Sequence, residues 1–399
     1  MVTQAVHIGD CELLEFYMDV LDAGNTRWQT WSNRTLIEGL NASDTVFNPF
    51  TGTVGASECV MGWRGLAPLA LNPMYGAAPG MELYEPQSAV AAIHWTHFDD
   101  LVNYFGVGAD GYAQNYWDNI GVQYGLGAVA TGEITPAEFL QVNAVIGGWK
   151  QEPDMVQEGS PFYPGSWDPW SYRNQIFSVD PVPAPRRAGD LEAMQAAYED
   201  GLVFRGDIDI PVIDWRHYLE AELNMHNSHQ SFASRQRIRD SRGDSDNQLV
   251  WFTDALGGAT FDQTPEALEV IDEWMVNILE NPDLGVAGNK PDRAVDRCFD
   301  TFGEEIASGD DVWDGILDDH PPGDCTSLFP VYGTSRIVAG GPFKGSIFKC
   351  ELKPVGQAIA DGDYGAWAPT PSEQGMLHMI FPSGVCDFSQ PDVGLPPGW

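Results

Sequence analysis

The stretch that most restricts the fold runs from 208 to 252, IDIPVIDWRHYLEAELNMHNSHQSFASRQRIRDSRGDSDNQLVWF. Two apolar, strand-like runs, at 208–213 and 249–252, flank an arginine-rich helical segment at 231–239. Asp214 closes the first run, and Asp244 and Asp246 precede the second. His217, His226 and His229 lie in the same window. A short strand ending in a carboxylate, a histidine-bearing loop, a helix and a second strand is how an open α/β sheet displays polar groups at its carboxyl edge. This window is therefore the expected functional edge of an α/β protein.

The flanking chain supplies helices and loops. An N-terminal helix is expected to bury Leu13, Leu14, Phe16, Tyr17 and Val20 on one face. Thr135, Pro136 and Glu138 have the spacing of a capping box. A Pro-, Trp- and Tyr-rich stretch at 150–185, with Trp167, Trp170 and Tyr172, reads either as a lid touching substrate or as an irregular loop with its aromatics in the core. Asp190 caps another helix. A 3.6-residue period through Ala267, Leu268, Ile271, Trp274, Met275, Ile278 and Leu279 follows Thr264 as N-cap. Beyond Asn281 the chain is loop-rich, and its aspartates between Asp310 and Asp319 lack the spacing of a calcium loop. By pattern the chain divides into helices and loops at 1–200, strands and helices at 201–280, and a loop-rich tail at 281–399.

Charge excludes some roles. Asp and Glu number 58 against 20 Lys and Arg, for a net charge of −38. Such a surface repels nucleic acid and anionic membranes, so neither is an expected partner. Acid-rich, lysine-poor surfaces stay hydrated in strong salt, where screening removes self-repulsion. A salt-adapted protein is expected, with thermal unfolding at a higher temperature in molar salt than in dilute buffer; equal midpoints would refute this. The 6 cysteines contain no CxxC pair, which argues against zinc and against a redox motif. Sequential disulfides Cys11–Cys59, Cys298–Cys325 and Cys350–Cys386 are expected, and with them an extracellular or periplasmic location. The first residues lack the pattern of a signal peptide, and no run of about 18 apolar residues is present. The N-terminus is therefore not expected to be the natural start.

Dinucleotide, P-loop and HExxH signatures are absent, and no cofactor is expected. GxSxG, whose sharp turn exposes a nucleophilic serine beside backbone donors, is absent too. Yet WDNIGVQYGLGAV, EFLQVNAVIGG, PVIDWRHYLE, SFASRQRI, DNQLVWF, AGGPFKGSIFKCELKPV and IFPSGVCDFSQPDVG resemble a family of large exported bacterial proteins. That family carries a domain of unknown function and is similar to α/β-hydrolases of the tannase and feruloyl-esterase kind. The resemblance spans about Cys11 to Gly394. It implies the C-terminal portion of such a hydrolase: a partial α/β-hydrolase-like sheet, a large helical lid and a disulfide-stapled tail. The serine elbow would lie in a separate or missing N-terminal polypeptide.

In acyl transfer a histidine takes the serine proton and a carboxylate orients the histidine. The candidates are His226, at the position that the resemblance matches, and Asp214. The competing readings are Asp214 as the ion-pair partner of Arg216 or Arg235, and His226 as a structural histidine. Arg235 and Arg216 are candidates to hold a substrate carboxylate. The expected substrate is a small ester. The alternatives are a non-catalytic module whose aromatic loops between Trp149 and Tyr172 hold a carbohydrate or aromatic ligand, and a metal-dependent enzyme using His and Asp within 214–246.

Overall fold

A computed structural model describes residues 2–73, 97–156, 172–179, 182–255 and 261–399. In chain order its main elements are α1 (Val2–Phe16), β1 (Ala42–Asn48), β2 (Thr53–Ser57), α2 (Pro136–Val145), β3 (Ile146–Trp149), β4 (Gln175–Phe177) and α3 (Leu191–Glu199). There follow β5 (Val212–Tyr218), α4 (His229–Arg242), β6 (Gln248–Asp254), α5 (Thr264–Glu280), β7 (Arg297–Phe299) and β8 (Glu305–Ser308). Last come β9 (Glu351–Lys353), α6 (Pro371–Ile380) and β10 (Val385–Asp387). They form two compact units, Met1–Val203 with Gly333–Trp399, and Phe204–Tyr332. The stretch 281–399 is thus shared between the units. Helices and small mixed sheets make this an α/β protein. The three disulfides are the sequential pairs Cys11–Cys59, Cys298–Cys325 and Cys350–Cys386. Among the described residues no helix is long and apolar enough to cross a membrane.

The first unit is built on α1. Leu13, Leu14, Phe16 and Tyr17 are buried as their spacing requires, but Val20 is 52% exposed. The reason is local: α1 ends at Phe16, and the chain widens into a π-turn over Tyr17–Leu21, which rotates Val20 off the face. The polar residues of α1 are buried as well. Asp10 accepts from Tyr124 Oη and Ser335 Oγ, each at 2.8 Å, and pairs with Arg336 through both oxygens. Glu15 accepts from Ser57 Oγ at 2.6 Å and pairs with Arg34, which also reaches Asp19 at 2.7 Å. Burial, then the neighbouring Glu15, pushes the Glu38 carboxyl well above the usual range. Gly9 is required where it stands: a Cβ there would lie 2.3 Å from Trp117 Nε1, and that indole donates to Val6 O at 3.0 Å. The capping box of α2 forms as its sequence predicts.

The second unit holds a sheet of order β5-β6-β7-β8. β5, β6 and β7 are parallel, and β8 closes the sheet antiparallel. β6 is buried along nearly its whole length, as a strand covered on both faces must be. Leu249 and Trp251 pack with Val270 and Trp274 of α5. Phe252 meets Phe232 of α4 at 5.7 Å and Trp313 at 4.7 Å. Only one stripe of α5 is covered; Leu268, Met275 and Leu279, expected in the apolar period, are exposed. The helix begins at Thr264, so its N-cap is Gln263, which makes no side-chain cap bond; Asp262, one residue earlier, accepts from the Thr264 N–H at 2.9 Å.

Candidate functional site

The parallel order β5-β6-β7 places the loops after β5 and β6 at one carboxyl edge. Asp214 does not close its strand. β5 continues to Tyr218, which sits opposite Asp254 of β6. The polar WRHY run reads as loop in the sequence, but β5 is an edge strand whose first six residues are half-buried, and such a strand tolerates polar side chains. Asp214 Oδ1 lies 3.4 Å from both Nε and Nη2 of Arg216, and Arg216 Nη1 donates to Asn227 O at 2.7 Å. Its side-chain partner among the described residues is therefore Arg216, and the fold does not join it to His226.

After β5 the chain makes a short 3-10 turn at Glu220–Glu222, then Leu223 takes a left-handed conformation with φ of 55°. A leucine there costs about 1–2 kcal/mol; Leu223 is wholly buried, and that packing holds it. The turn is closed by Leu223 N–H to Glu220 O at 3.1 Å and Asn224 N–H to Leu219 O at 3.2 Å. It brings Asn224 Oδ1 onto the backbone N–H of His226, at 3.2 Å, and onto His226 Nδ1. An oxygen facing Nδ1 fixes the proton there and leaves Nε2 as the acceptor. His226 is exposed, so that nitrogen is presented to solvent. His229 starts α4 and is buried, while His217 Nε2 lies 3.1 Å from Phe261 O.

Sequence reasoning missed Glu220. It is buried and accepts from the Ser228 N–H at 2.6 Å and from the Ser228 hydroxyl. Burial raises its pKa in spite of those bonds. The Ser228 hydroxyl is thus directed at a carboxylate and not at an imidazole. Tyr218 Oη donates to Pro330 O at 2.7 Å. Burial, then the nearby Glu220, Tyr332, Asp254 and Glu222, drives its pKa up and keeps the phenol protonated. Taking Pro211 as the strand start and allowing seven residues would have ended the strand at His217 and left Glu220 in the turn that follows.

Arg235 is engaged inside the unit. Its Nη1 and Nη2 meet the two oxygens of Asp296 at 2.6 and 2.8 Å, and Nη2 also donates to Gln248 O at 3.2 Å. Of the aromatic loop, Trp167 and Trp170 lie outside the described residues. Trp149 is buried and donates to Gly9 O at 3.1 Å, and Tyr172 stacks on Phe16 at 5.8 Å. Among the described residues, the acid and histidine group close enough to share one ion is Asp314, Asp318 and His320, not residues of 214–246. Asp318 already accepts from the N–H groups of Gly315 and His320, at 2.8 and 3.0 Å. The first of these leads in holding its carboxyl below the usual range. The loop is explained by its own backbone.

The edge therefore holds an exposed imidazole bonded to Asn224 and, on the same turn, a buried carboxyl, Glu220, bonded to Ser228. Residues 1–397 match the family model described as "Tannase-like family of unknown function (DUF6351)". No curated protein and no solved structure matches the chain.

Proposed function

The chain belongs to the tannase-like family of unknown function, and from that premise we propose that it is part of a carboxylic ester hydrolase that handles the proton in serine acyl transfer. The observation that carries this reading is the Asn224–His226 pair at the carboxyl edge of β5. His226 Nε2 takes the hydroxyl proton and returns it to the leaving alcohol, and Asn224 orients the ring as a carboxylate does in related triads. Asp214 serves Arg216 in this scheme. The attacking hydroxyl comes from a polypeptide segment outside these residues. Two features support that: the sequence has no GxSxG elbow, and β5 stands at one edge of the four-stranded sheet, where earlier strands of a hydrolase sheet would add in parallel. The substrate is a small ester, and the three disulfides fit an extracellular or periplasmic place of action.

The test is covalent labelling by a fluorophosphonate, which reacts with activated serines. In the polypeptide as it occurs in its source, label is expected on a serine outside 1–399, and His226→Ala is expected to reduce it. A label on a serine within 1–399 would refute the proposal.

A further inference from the structure

β5 is seven residues long, pairs with β6 in unbroken register and has no strand on its other side among the described residues. Val212 donates its N–H to Asn247 O at 2.8 Å, toward β6. Backbone groups alternate sides along a strand, so Asp214, Arg216 and Tyr218 also face β6. Ile213, Trp215 and His217 turn their N–H and C=O groups to the open edge, where these six groups have no hydrogen-bond partner among the described residues. Natural sheets blunt such edges with brevity, proline, lysine or a bulge. The far edge is finished in that way by β8, four residues long, antiparallel and shifted in register. β5 carries none of these devices.

The two flanks of α5 differ. On the side of β7, Glu266 pairs with Arg297 and Glu273 with Arg293, each at 2.6 Å. The other flank carries Leu268, Met275 and Leu279, whose spacing of seven and four residues lines them up on one side of the helix. They are 63, 43 and 77% exposed. This flank leans over β5, whose Ile213 and Trp215 pack beneath α5. Single exposed apolar residues are ordinary, but an aligned set above an open sheet edge marks an interaction surface. We propose that the β5 edge and this flank of α5 form one docking surface for a strand-and-helix unit of the segment that supplies the attacking hydroxyl. The strand runs parallel to β5 and bonds to the six free backbone groups; the helix covers Leu268, Met275 and Leu279. The identity of that segment rests on the proposed ester hydrolysis; the openness of the surface does not. α5 covers one face of β5, and the loop at Asn227, bonded by Arg216, covers the other; a strand covered on both faces belongs inside a parallel sheet. The parallel direction also brings the carboxyl end of the incoming strand beside Tyr218, at the edge that carries His226. A second copy fits less well, because a two-fold contact would press together two chains of net charge −38.

The test is hydrogen–deuterium exchange, read residue by residue, on the isolated chain and on the polypeptide as it occurs in its source. In the isolated chain the amides of Ile213, Trp215 and His217 should exchange at least about a hundredfold faster than those of Asp214 and Arg216. In the source polypeptide all five should be protected. Leu268→Asp combined with Leu279→Asp should leave exchange in β6 of the isolated chain unchanged, yet reopen the three edge amides in the source polypeptide. Edge amides already protected in the isolated monomer, or still open in the source polypeptide, would overturn the proposal. So would sedimentation of the isolated chain as a dimer with those amides protected, since the occupant would then be a second copy. A fluorophosphonate label on a serine outside 1–399 together with open edge amides would sink the docking alone. Closed amides with no labelled serine would uphold the docking and sink the proposed reaction.

Discussion

Asp10→Ala should destabilise the first unit by about 3–5 kcal/mol, the usual cost of leaving a buried ion-pair partner alone. Asp10 is wholly buried and gathers three donors from two distant parts of the chain: Tyr124, and the neighbours Ser335 and Arg336. Alanine would strand the Arg336 guanidinium, its side chain 11% exposed, together with two hydroxyls. It would also loosen 333–399 from α1, because Ser335 and Arg336 are bonded there. Chemical unfolding followed by near-ultraviolet circular dichroism would measure the loss. Asp10→Asn keeps the shape and one acceptor oxygen, so it should cost less. A loss below about 1 kcal/mol for the alanine variant would show that the hub is not structural.

Arg235→Ala should cost the second unit a similar amount, about 3–5 kcal/mol, and this is the more discriminating change. A substrate-holding arginine can be removed with loss of binding and little loss of stability. The geometry predicts the reverse. Arg235 neutralises Asp296, and Asp296 Oδ1 also accepts from the Val250 N–H at 2.8 Å. The pair therefore joins α4, β6 and the approach to β7. Asp296→Leu should not rescue Arg235→Met, because the Val250 amide would be left buried without an acceptor. Differential scanning calorimetry of the single and double variants tests both points. An unchanged unfolding temperature in Arg235→Ala would return Arg235 to the list of substrate contacts.

Much of the fold was legible because it rests on short-range rules. The sequential disulfides, the Thr135–Glu138 box, and the pair of strands around an arginine-rich helix all follow from residues near one another in the chain. What could not be read depends on distant partners. The burial of Asp10 and Glu15 on α1 makes sense only once Arg336 and Arg34 are seen beside them. The full length of β5 was hidden because an edge strand can carry Trp, Arg, His and Tyr in succession. His226 was found for a reason of position, yet its partner is Asn224 and not Asp214. That pairing depends on the left-handed turn at Leu223, which nothing in a leucine announces.

In the proposed reaction residues 1–399 move the proton but do not supply the attacking oxygen. The most direct measurement is a stoichiometric burst assay of the isolated chain with p-nitrophenyl acetate, coupled to fluorophosphonate labelling and peptide mapping. No burst and no labelled serine are expected in this chain, with labelling of a serine elsewhere when the source polypeptide is treated in the same way. One equivalent of label on any serine of residues 1–399, with a matching burst, would contradict it.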